Sequence, residues 1–400
     1  MSNQSSHEML VSIDIGCYQH SVAIGLSDGR ILDEFEISHT QTGFKQFFTK
    51  IDYHQHVQQA PISIAMEGYN GHARPLDRLI RARNYRLFNI NNLKLARFKE
   101  VFPGAAKTDA IDARKGLELF QLSNHLPQAK SVLQEIYPTP VENEQLKRLS
   151  RRRRRMVNER VSVINALQSD LQAVCPGLLS ITKDVSQKWF LNFLAATGDN
   201  LQALAGKRRA TLLKIPGVGQ VMVERIIAWQ SEAVFSDEVE LVSPLILEDV
   251  QRIIALNDII EKLDAQLEDI ASRSQEAILI RSIPGFGKTS TAEIAGEMGT
   301  VERFAKEASL ALYFGMAALD NSSGNYRGSK TPKNVNKRIK SAMMVAVDRH
   351  RKSVPASQTY YEKKRVEGKT HNQAIRALGR HLCRVIFKML KEKREYKIIQ

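Results

Sequence analysis

Cysteine is scarce in this 400-residue chain, and its scarcity excludes more than its presence explains. Only Cys17, Cys175 and Cys383 occur, widely separated and in no Cys-x-x-Cys pair. That spacing argues against a zinc site or a disulfide scaffold and suits a reducing cytoplasm. The ten histidines show no ligand spacing that would rescue a zinc site. No run of about 18 uncharged apolar residues exists, so no membrane span is expected. Residues 1–9 are polar and lack the apolar core of a signal peptide. At 43% hydrophobic residues, the chain has material for two or three domains with substantial cores.

Acidic residues are the next scarcity, and it is local. Residues 321–400 hold 21 Lys and Arg against 5 Asp and Glu, whereas residues 1–320 hold 37 against 38. One segment therefore carries essentially the whole net charge of +15, which points to a polyanion partner. A second basic cluster, Arg151, Arg152, Arg153, Arg154 and Arg155, stands in a balanced region. Five consecutive arginines cover every side of a helix, so at least two must project from whichever face is packed.

Against that background four carboxylates stand out. Asp14 lies inside the apolar run Leu10–Gly16, where an ionised group is costly unless paired or metal-bound. Glu67 ends a second strand-like run, Ile62–Glu67. Asp109 and Asp112 are three apart in Lys107-Thr108-Asp109-Ala110-Ile111-Asp112-Ala113-Arg114, so a helix places both on one face. Two strand carboxylates and a helical pair can converge on hard cations such as Mg²⁺ or Mn²⁺. Two such ions can stabilise the attacking and leaving oxygens of a phosphodiester.

The opening reads as a meander: strands over Leu10–Cys17, Ser21–Leu26 and Ile31–Ile37, with a turn at Ser27-Asp28-Gly29-Arg30. A helix from about Thr42 to Tyr53, the Glu67 strand, a helix after Gly71, a strand over Tyr85–Ile90 and a helix over Thr108–Leu122 follow. This order predicts an α/β RNase H-like sheet with Asp14 on its first strand. From about Val141 the strand signal disappears. Leu146–Val174 and Val250–Ile270 carry apolar stripes, at Val157, Val161, Ile164, Leu167 and Leu171 in the first. The two can pair as an antiparallel coiled coil, within one chain or between subunits, or pack as members of a bundle.

An internal repeat lies between and after them. Leu212–Gly219 is echoed by Ile280–Gly287, each ending in Ile-Pro-Gly-x-Gly and opening onto a helix. Gly217, Gly219, Gly285 and Gly287 would allow close backbone approach, and the following helix N-termini offer free N–H groups to phosphate. This is a helix-hairpin-helix signature for sequence-independent DNA contact, with Lys288 beside the second copy. Gly287-Lys288-Thr289 is not a nucleotide-binding loop, because Ser282 occupies the position of its first glycine. The Asp14-Ile15-Gly16 opening of the actin-like ATPases lacks its companion glycine motifs here. Arg376, His381, Arg384 and Tyr396 echo a tyrosine recombinase without the flanking pattern, and read as one basic helix.

Asp14-Ile15-Gly16, Glu67-Gly68, Lys107–Arg114, Ile283–Gly287 and Ser323-Gly324 occur in the order of one family. The chain resembles the DEDD-type insertion-sequence transposases, which include the Piv-like invertases and the bridge-RNA-guided serine recombinases. The resemblance covers nearly the whole chain, and the Lys-Thr-Asp-x-x-Asp-Ala-Arg motif is its most specific part. It implies a RuvC-like domain over residues 1–140 and a helical coiled-coil region over 141–275 with the first hairpin inserted. A basic transposase domain over 276–400 would then carry a nucleophilic serine. Asp14, Glu67, Asp109 and Asp112 become the catalytic, metal-binding acids, and Ser323 the nucleophile, with Ser322 one residue out of register. Arg327, Lys330, Lys333, Lys337 and Arg338 join the arginine run and the hairpins as nucleic-acid contacts. The implied partners are double-stranded DNA at element ends and target, a structured noncoding guide RNA, and further copies of the chain as dimer or tetramer. Localisation would be cytoplasmic, at the nucleoid when acting. Where relatives often have a second Ser or Thr, this chain reads Asn325-Tyr326-Arg327-Gly328. A metal-dependent junction nuclease would need the acids but not Ser323. A non-enzymatic nucleic-acid-binding protein would need neither.

Overall fold

A computed structural model of the chain describes residues 7–67, 74–100, 108–123, 132–198, 200–324, 326–330, 332 and 335–397. It divides into two compact units, one ending at Pro138 and the other beginning at Thr139.

The first unit is an α/β sheet domain. Its elements are β1 (Met9–Ile15), β2 (Gln19–Leu26), β3 (Ile31–Ser38), α1 (Gln41–Gln58), β4 (Ile62–Glu67), α2 (Arg74–Ala82), β5 (Arg86–Ile90), α3 (Asn92–Lys99), α4 (Asp109–Ser123) and β6 (Leu133–Glu135). The six strands lie in the order β3-β2-β1-β4-β5-β6, with β1, β4 and β5 parallel to one another and the rest antiparallel to their neighbours. Alternation on β1 fills two cores. Met9, Val11 and Ile13 pack with Phe47, Ile51 and Leu76 on one face, and Leu10 packs with Ala65, Ala113 and Leu117 on the other. The meander and the central parallel strands follow the expected order. The short β6 and the helix α3 are additions to it, because three and eight residues are too few for periodicity to show. The start of the helix expected after Gly71 lies outside the described residues; α2 is described from Arg74.

The second unit is mostly helical. It comprises α5 (Val141–Val174), α6 (Lys188–Ala195), α7 (Arg209–Leu212), α8 (Gln220–Gln230), α9 (Val239–Ala271), α10 (Gln275–Arg281), α11 (Lys288–Met298), α12 (Glu307–Tyr313), β7 (Leu319–Ser323), β8 (Tyr326–Lys330), α13 (Lys337–Ser353), α14 (Pro355–Val366) and α15 (His371–Glu392). Helices α5 and α9 run antiparallel within the chain. Arg153 meets Asp264, Arg160 meets Asn257 and Glu159 meets Arg252, so one number rises as the other falls. The stripe on α5 is set a little differently from the one expected. Met156, Val163, Leu167 and Leu171 are buried, Val157 and Ile164 are partly covered, and Val161 is 48% exposed. One core gathers the C-terminal part of α5 and the N-terminal part of α9 with α6 and α8, and a second gathers their other ends with α10, α11, α13 and α15.

Against the expectation that strands end before Val141, β7 and β8 form a hairpin in the basic segment. Its strands, Leu-Asp-Asn-Ser-Ser and Tyr-Arg-Gly-Ser-Lys, have no apolar alternation, so hydrophobic patterning could not reveal them. No helix among the described residues is long and apolar enough to cross a membrane.

Candidate active site and nucleic-acid interface

The carboxylates are positioned by strand register and by one helix. β1 and β4 are parallel neighbours paired at Ile13 and Met66, so Asp14 and Glu67 are the next residues on adjacent strands, at the same end of the sheet. Both belong to the face that carries Leu10, Ala65 and α4, because side chains alternate along a strand. Helix α4 crosses this face with Gly116 over Ser12, where an added Cβ would sit 2.3 Å from the serine Oγ. Farther along α4, Gln121 donates to the Leu26 carbonyl at 2.9 Å, and Leu26 pairs with Met9 at the start of β1. The helix thus runs antiparallel to β1, and its first turn, with Asp109 and Asp112, faces the strand ends bearing Asp14 and Glu67. Thr108 opens that turn, its Oγ1 accepting from the Ile111 N–H at 3.3 Å and its carbonyl from the Asp112 N–H at 3.0 Å. Arg114 forms an ion pair with Glu34 on β3, which holds that carboxyl below its usual range and pins the helix across the sheet.

Asp14, Glu67 and Asp112 are half-buried and Asp109 is exposed. Among the described residues no three Asp, Glu, His or Cys side chains are drawn close enough to hold a metal ion. The donor set fits a hard divalent cation in chemistry, all oxygen and all anionic. Its spacing is open. Lys107 and Gly68 lie outside the described residues.

Ser323 is the last residue of β7. It pairs with Tyr326, and Ser322 pairs with Arg327. The backbone turns through Gly324, whose φ of +56° is the left-handed conformation that glycine adopts without strain. Ser322, Ser323 and Gly324 are all exposed, and successive strand residues put the two serines on opposite faces of the hairpin.

The arginine run is largely committed inside the molecule. Arg151 makes two hydrogen bonds to the buried Glu297, Arg154 one to the buried Glu293, and Arg153 pairs with Asp264. These contacts clamp α5 to α11 and α9. Arg152 and Arg155 are exposed and have no ion-pair partner among the described residues. The run therefore does not act as a single solvent-facing patch, and two of its five members remain available. Sequence reasoning missed the partners, because Glu293 and Glu297 lie some 140 residues away from the run.

The two Pro-Gly-x-Gly segments form the same turn. Val218 N–H donates to Ile215 at 3.0 Å and Phe286 N–H to Ile283 at 3.1 Å. Gly217 and Gly285 have φ of +84° and +86°, so each Pro-Gly is the centre of a type II turn. Gly219 and Gly287 then cap α8 and α11. Pro216, Gly217 and Gly219 are exposed. The second turn is covered: a Cβ on Gly285 would lie 2.3 Å from the His350 backbone nitrogen, and His350 Nδ1 donates to the Pro284 carbonyl at 2.7 Å. Gly285 is thus occupied in packing α13. Lys288 is exposed but lies 3.3 Å from Glu268.

At the start of α13, Asn336 caps the helix by accepting from Arg338 and Ile339 N–H, and its Nδ2 donates to Glu297 Oε2 at 2.9 Å. Lys337 and Arg338 are exposed in the first turn, where the helix dipole disfavours cations and an anion would relieve them. Lys330 ends β8 and is exposed; Lys333 and the Arg327 side chain lie outside the described residues.

Comparisons with known proteins match two stretches of the chain. A profile described as Transposase (the DEDD type of insertion element IS110) matches residues 11–176, and one described as Transposase IS116/IS110/IS902 family matches residues 277–362. The chain is 26% identical over 310 residues to the 43.6 kDa protein of insertion element IS110 from Streptomyces coelicolor, covering 75% of this chain and 74% of the relative. It is 30% identical over 205 residues to the 42 kDa protein of IS900 from Mycobacterium paratuberculosis, covering 50% and 51%. It is 26% identical over 304 residues to the 44.8 kDa protein of IS116 from Streptomyces clavuligerus, covering 74% of each. The two matched stretches hold the carboxylate-bearing sheet and the serine hairpin and together span more than half of the chain, which belongs to the IS110/IS116/IS902 family of insertion-element transposases.

Proposed function

We propose that this transposase is a site-specific recombinase that cuts and rejoins DNA through a phosphoserine formed on Ser323, with Asp14, Glu67, Asp109 and Asp112 as its metal-binding acids. The observation that carries the reading is the sheet end: two carboxylates on adjacent parallel strands, faced by the acidic first turn of α4. On this reading the first unit is an RNase H-like (RuvC-like) domain and the two turns are helix-hairpin-helix elements. Mg²⁺ or Mn²⁺ held by the acids would supply charge stabilisation at the attacking and leaving oxygens.

Ser323 Oγ attacks phosphorus as the bond to the 3′ oxygen breaks. The serine proton is lost, the 3′ oxygen gains one, and the DNA 5′ end stays joined to the protein. A serine hydroxyl needs activation to do this. Exposure at a turn tip next to Gly324 leaves room for a scissile phosphate to approach. The basic segment, Lys337 and Arg338 included, grips backbone phosphates. Arg152 and Arg155 join the contacts to a structured noncoding RNA from the same element. The protein works as a homo-oligomer at the nucleoid.

Denaturing gels of stalled reactions test the chemistry. A protein–DNA adduct should form, vanish in Ser323→Ala, and depend on added Mg²⁺. An adduct in Ser323→Ala that is lost in Ser322→Ala moves the nucleophile by one residue. Cleavage without any adduct that is lost in Asp14→Asn favours the nuclease reading. Cleavage undiminished by both Asp14→Asn and Asp109→Asn defeats the metal-acid assignment. Full recombination by RNase-treated protein removes the RNA from the reading.

A further inference from the structure

We infer that a groove between α14 and α15, at the foot of the β7–β8 hairpin, binds a phosphodiester backbone, that of the DNA strand presented to Ser323. This rests on the strand-transfer reading above and narrows its basic segment to one groove, of which Lys330 alone was singled out before as a nucleic-acid contact. The groove encloses about 870 Å³. Six cations line it, Lys330, Lys364, Lys369, Arg376, Arg380 and Arg384, against one acid among the lining residues, Glu367.

The groove is built to hold positive charge rather than to hide it. Arg376, Arg380 and Arg384 recur every fourth residue of α15, so they form one stripe in which neighbours repel. Arg380 and Arg384 share Glu307, at 2.7 and 3.5 Å, and Lys364 and Lys369 share Glu367, at 2.8 and 3.8 Å. Among the described residues Arg376 has no ion-pair partner and donates to the Asn372 carbonyl, at 3.4 Å. Two carboxylates thus serve four of the six cations, and a chain of phosphates is the ligand that balances the remainder. Tyr360 and His381 complete the wall with a 2.9 Å hydrogen bond between the hydroxyl and Nε2. Burial, then Arg384, Arg380 and Lys364, hold His381 below its usual range, so it stays neutral and leaves the charge to its neighbours.

The same packing ties the groove to the serine hairpin. A Cβ on Gly379 of α15 would stand 2.5 Å from Met316 Sδ, so glycine is what lets the approach to β7 lie against this helix. Ala317, Ala318 and Lys330 also line the groove, which puts the roots of both hairpin strands at its edge. Ser323 is four residues along β7 from Leu319, or about 13 Å at the usual strand rise. Measured along the axis of a duplex that is about four nucleotide steps, at roughly 3.4 Å each.

Binding measured in the Ser323→Ala background, where no chemistry proceeds, tests the groove apart from the nucleophile. The probes are duplex DNA carrying the element end and the RNA that co-purifies with the protein. Arg376→Ala with Lys330→Ala should flatten the logarithmic salt dependence for DNA by about 0.9 for each phosphate that is no longer neutralised. Between 50 and 200 mM salt, the affinity of the double variant then falls about threefold less for each such phosphate. Arg376→Gln with Lys330→Gln serves if the alanine protein melts early. Neutral methylphosphonates placed one at a time along the cleaved strand should weaken binding most about four steps from the scissile phosphate. An unchanged DNA salt slope in folded variants overturns the site. A slope that falls for RNA and not for DNA overturns the DNA assignment and gives the groove to RNA. If instead Ser323→Ala still forms the adduct, the nucleophile reading fails while the groove result stands.

Discussion

The two Pro-Gly-x-Gly segments are nearly the same sequence and the same turn, yet the molecule uses them differently. The first stands at the surface, where a Cβ on Gly217 would lie 3.1 Å from Trp189 Cβ and the Pro216 carbonyl accepts from Asn192 at 2.9 Å. The second is pressed onto the backbone of Arg349 and His350, with Tyr396 N–H donating to Ser282 Oγ at 2.9 Å. Proline's fixed φ and glycine's tolerance of positive φ are enough to make the turn. Whether its amides can reach a phosphate is decided by what packs over it. A repeated motif therefore predicts repeated geometry, not repeated availability.

Substituting the turn glycines breaks the comparison most sharply. Gly285→Ala adds a clash with α13 to the strain at φ +86°, and each effect is about 1–3 kcal/mol. Gly217→Ala has the strain but meets Trp189 no closer than 3.1 Å, so about 1–2 kcal/mol is expected. Urea unfolding of both variants should show the second site losing roughly twice as much. Equal losses would mean that the turns are equivalent after all.

The helices that follow the turns differ in the same sense. α11 is held by the buried Glu297 and Glu293, and Arg151→Ala would leave Glu297 with Asn336 as its main partner, costing about 3 kcal/mol. On α8 the corresponding pair, Arg209 with Glu224, is exposed, and Arg209→Ala should cost under about 1 kcal/mol. Calorimetric melting of the two variants checks this. A small loss in Arg151→Ala would show that the clamp on α11 is not what stabilises the second copy.

Binding sharpens the comparison without disturbing the fold. Gly219 is a helix N-cap with nothing within 4 Å of an added Cβ, and Asp is a favoured N-cap residue. Gly219→Asp should thus change stability by only a few tenths of a kcal/mol. If the first turn meets DNA, the new carboxylate should weaken duplex binding severalfold, and Gly287→Asp should weaken it less. Equal effects in electrophoretic titrations would show that burial of the second turn does not limit its contacts.

The smallest effect is on pH. Burial holds His350, which packs on the second turn and on Tyr396, below its usual value of 6.5. The unfolded chain then takes up the proton first, so stability falls as pH drops below about 6.5. Glu297 is held below its usual 4.5, so its contribution is lost as pH falls further, below about 4.5. His350→Phe should flatten the upper part of the acid-stability curve followed by circular dichroism. An unchanged curve in that variant removes the histidine from the account.

Much of the carboxylate arrangement was legible in the residues. Apolar alternation made β1 and β4 visible, and with them the strand-end positions of Asp14 and Glu67. Spacing put Asp109 and Asp112 on one face of α4. The β7–β8 hairpin escaped because its strands are polar, and the basic groove because its cations come from a strand end, a helix, a loop and a second helix. The arginine run misled in part, since charge counts along the chain do not show that Arg151, Arg153 and Arg154 have carboxylate partners from α9 and α11.

By itself the sequence determined the local pieces: the first five strands, the two Pro-Gly turns and the register of each acid within its own element. These follow from side-chain period and from the backbone preferences of proline and glycine, which act over a few residues. Tertiary structure alone decided the crossing of α4 over the sheet end, the burial of the second turn and the commitment of three arginines. Those depend on which surfaces meet after the chain has folded back over a hundred residues or more, and no local preference specifies that.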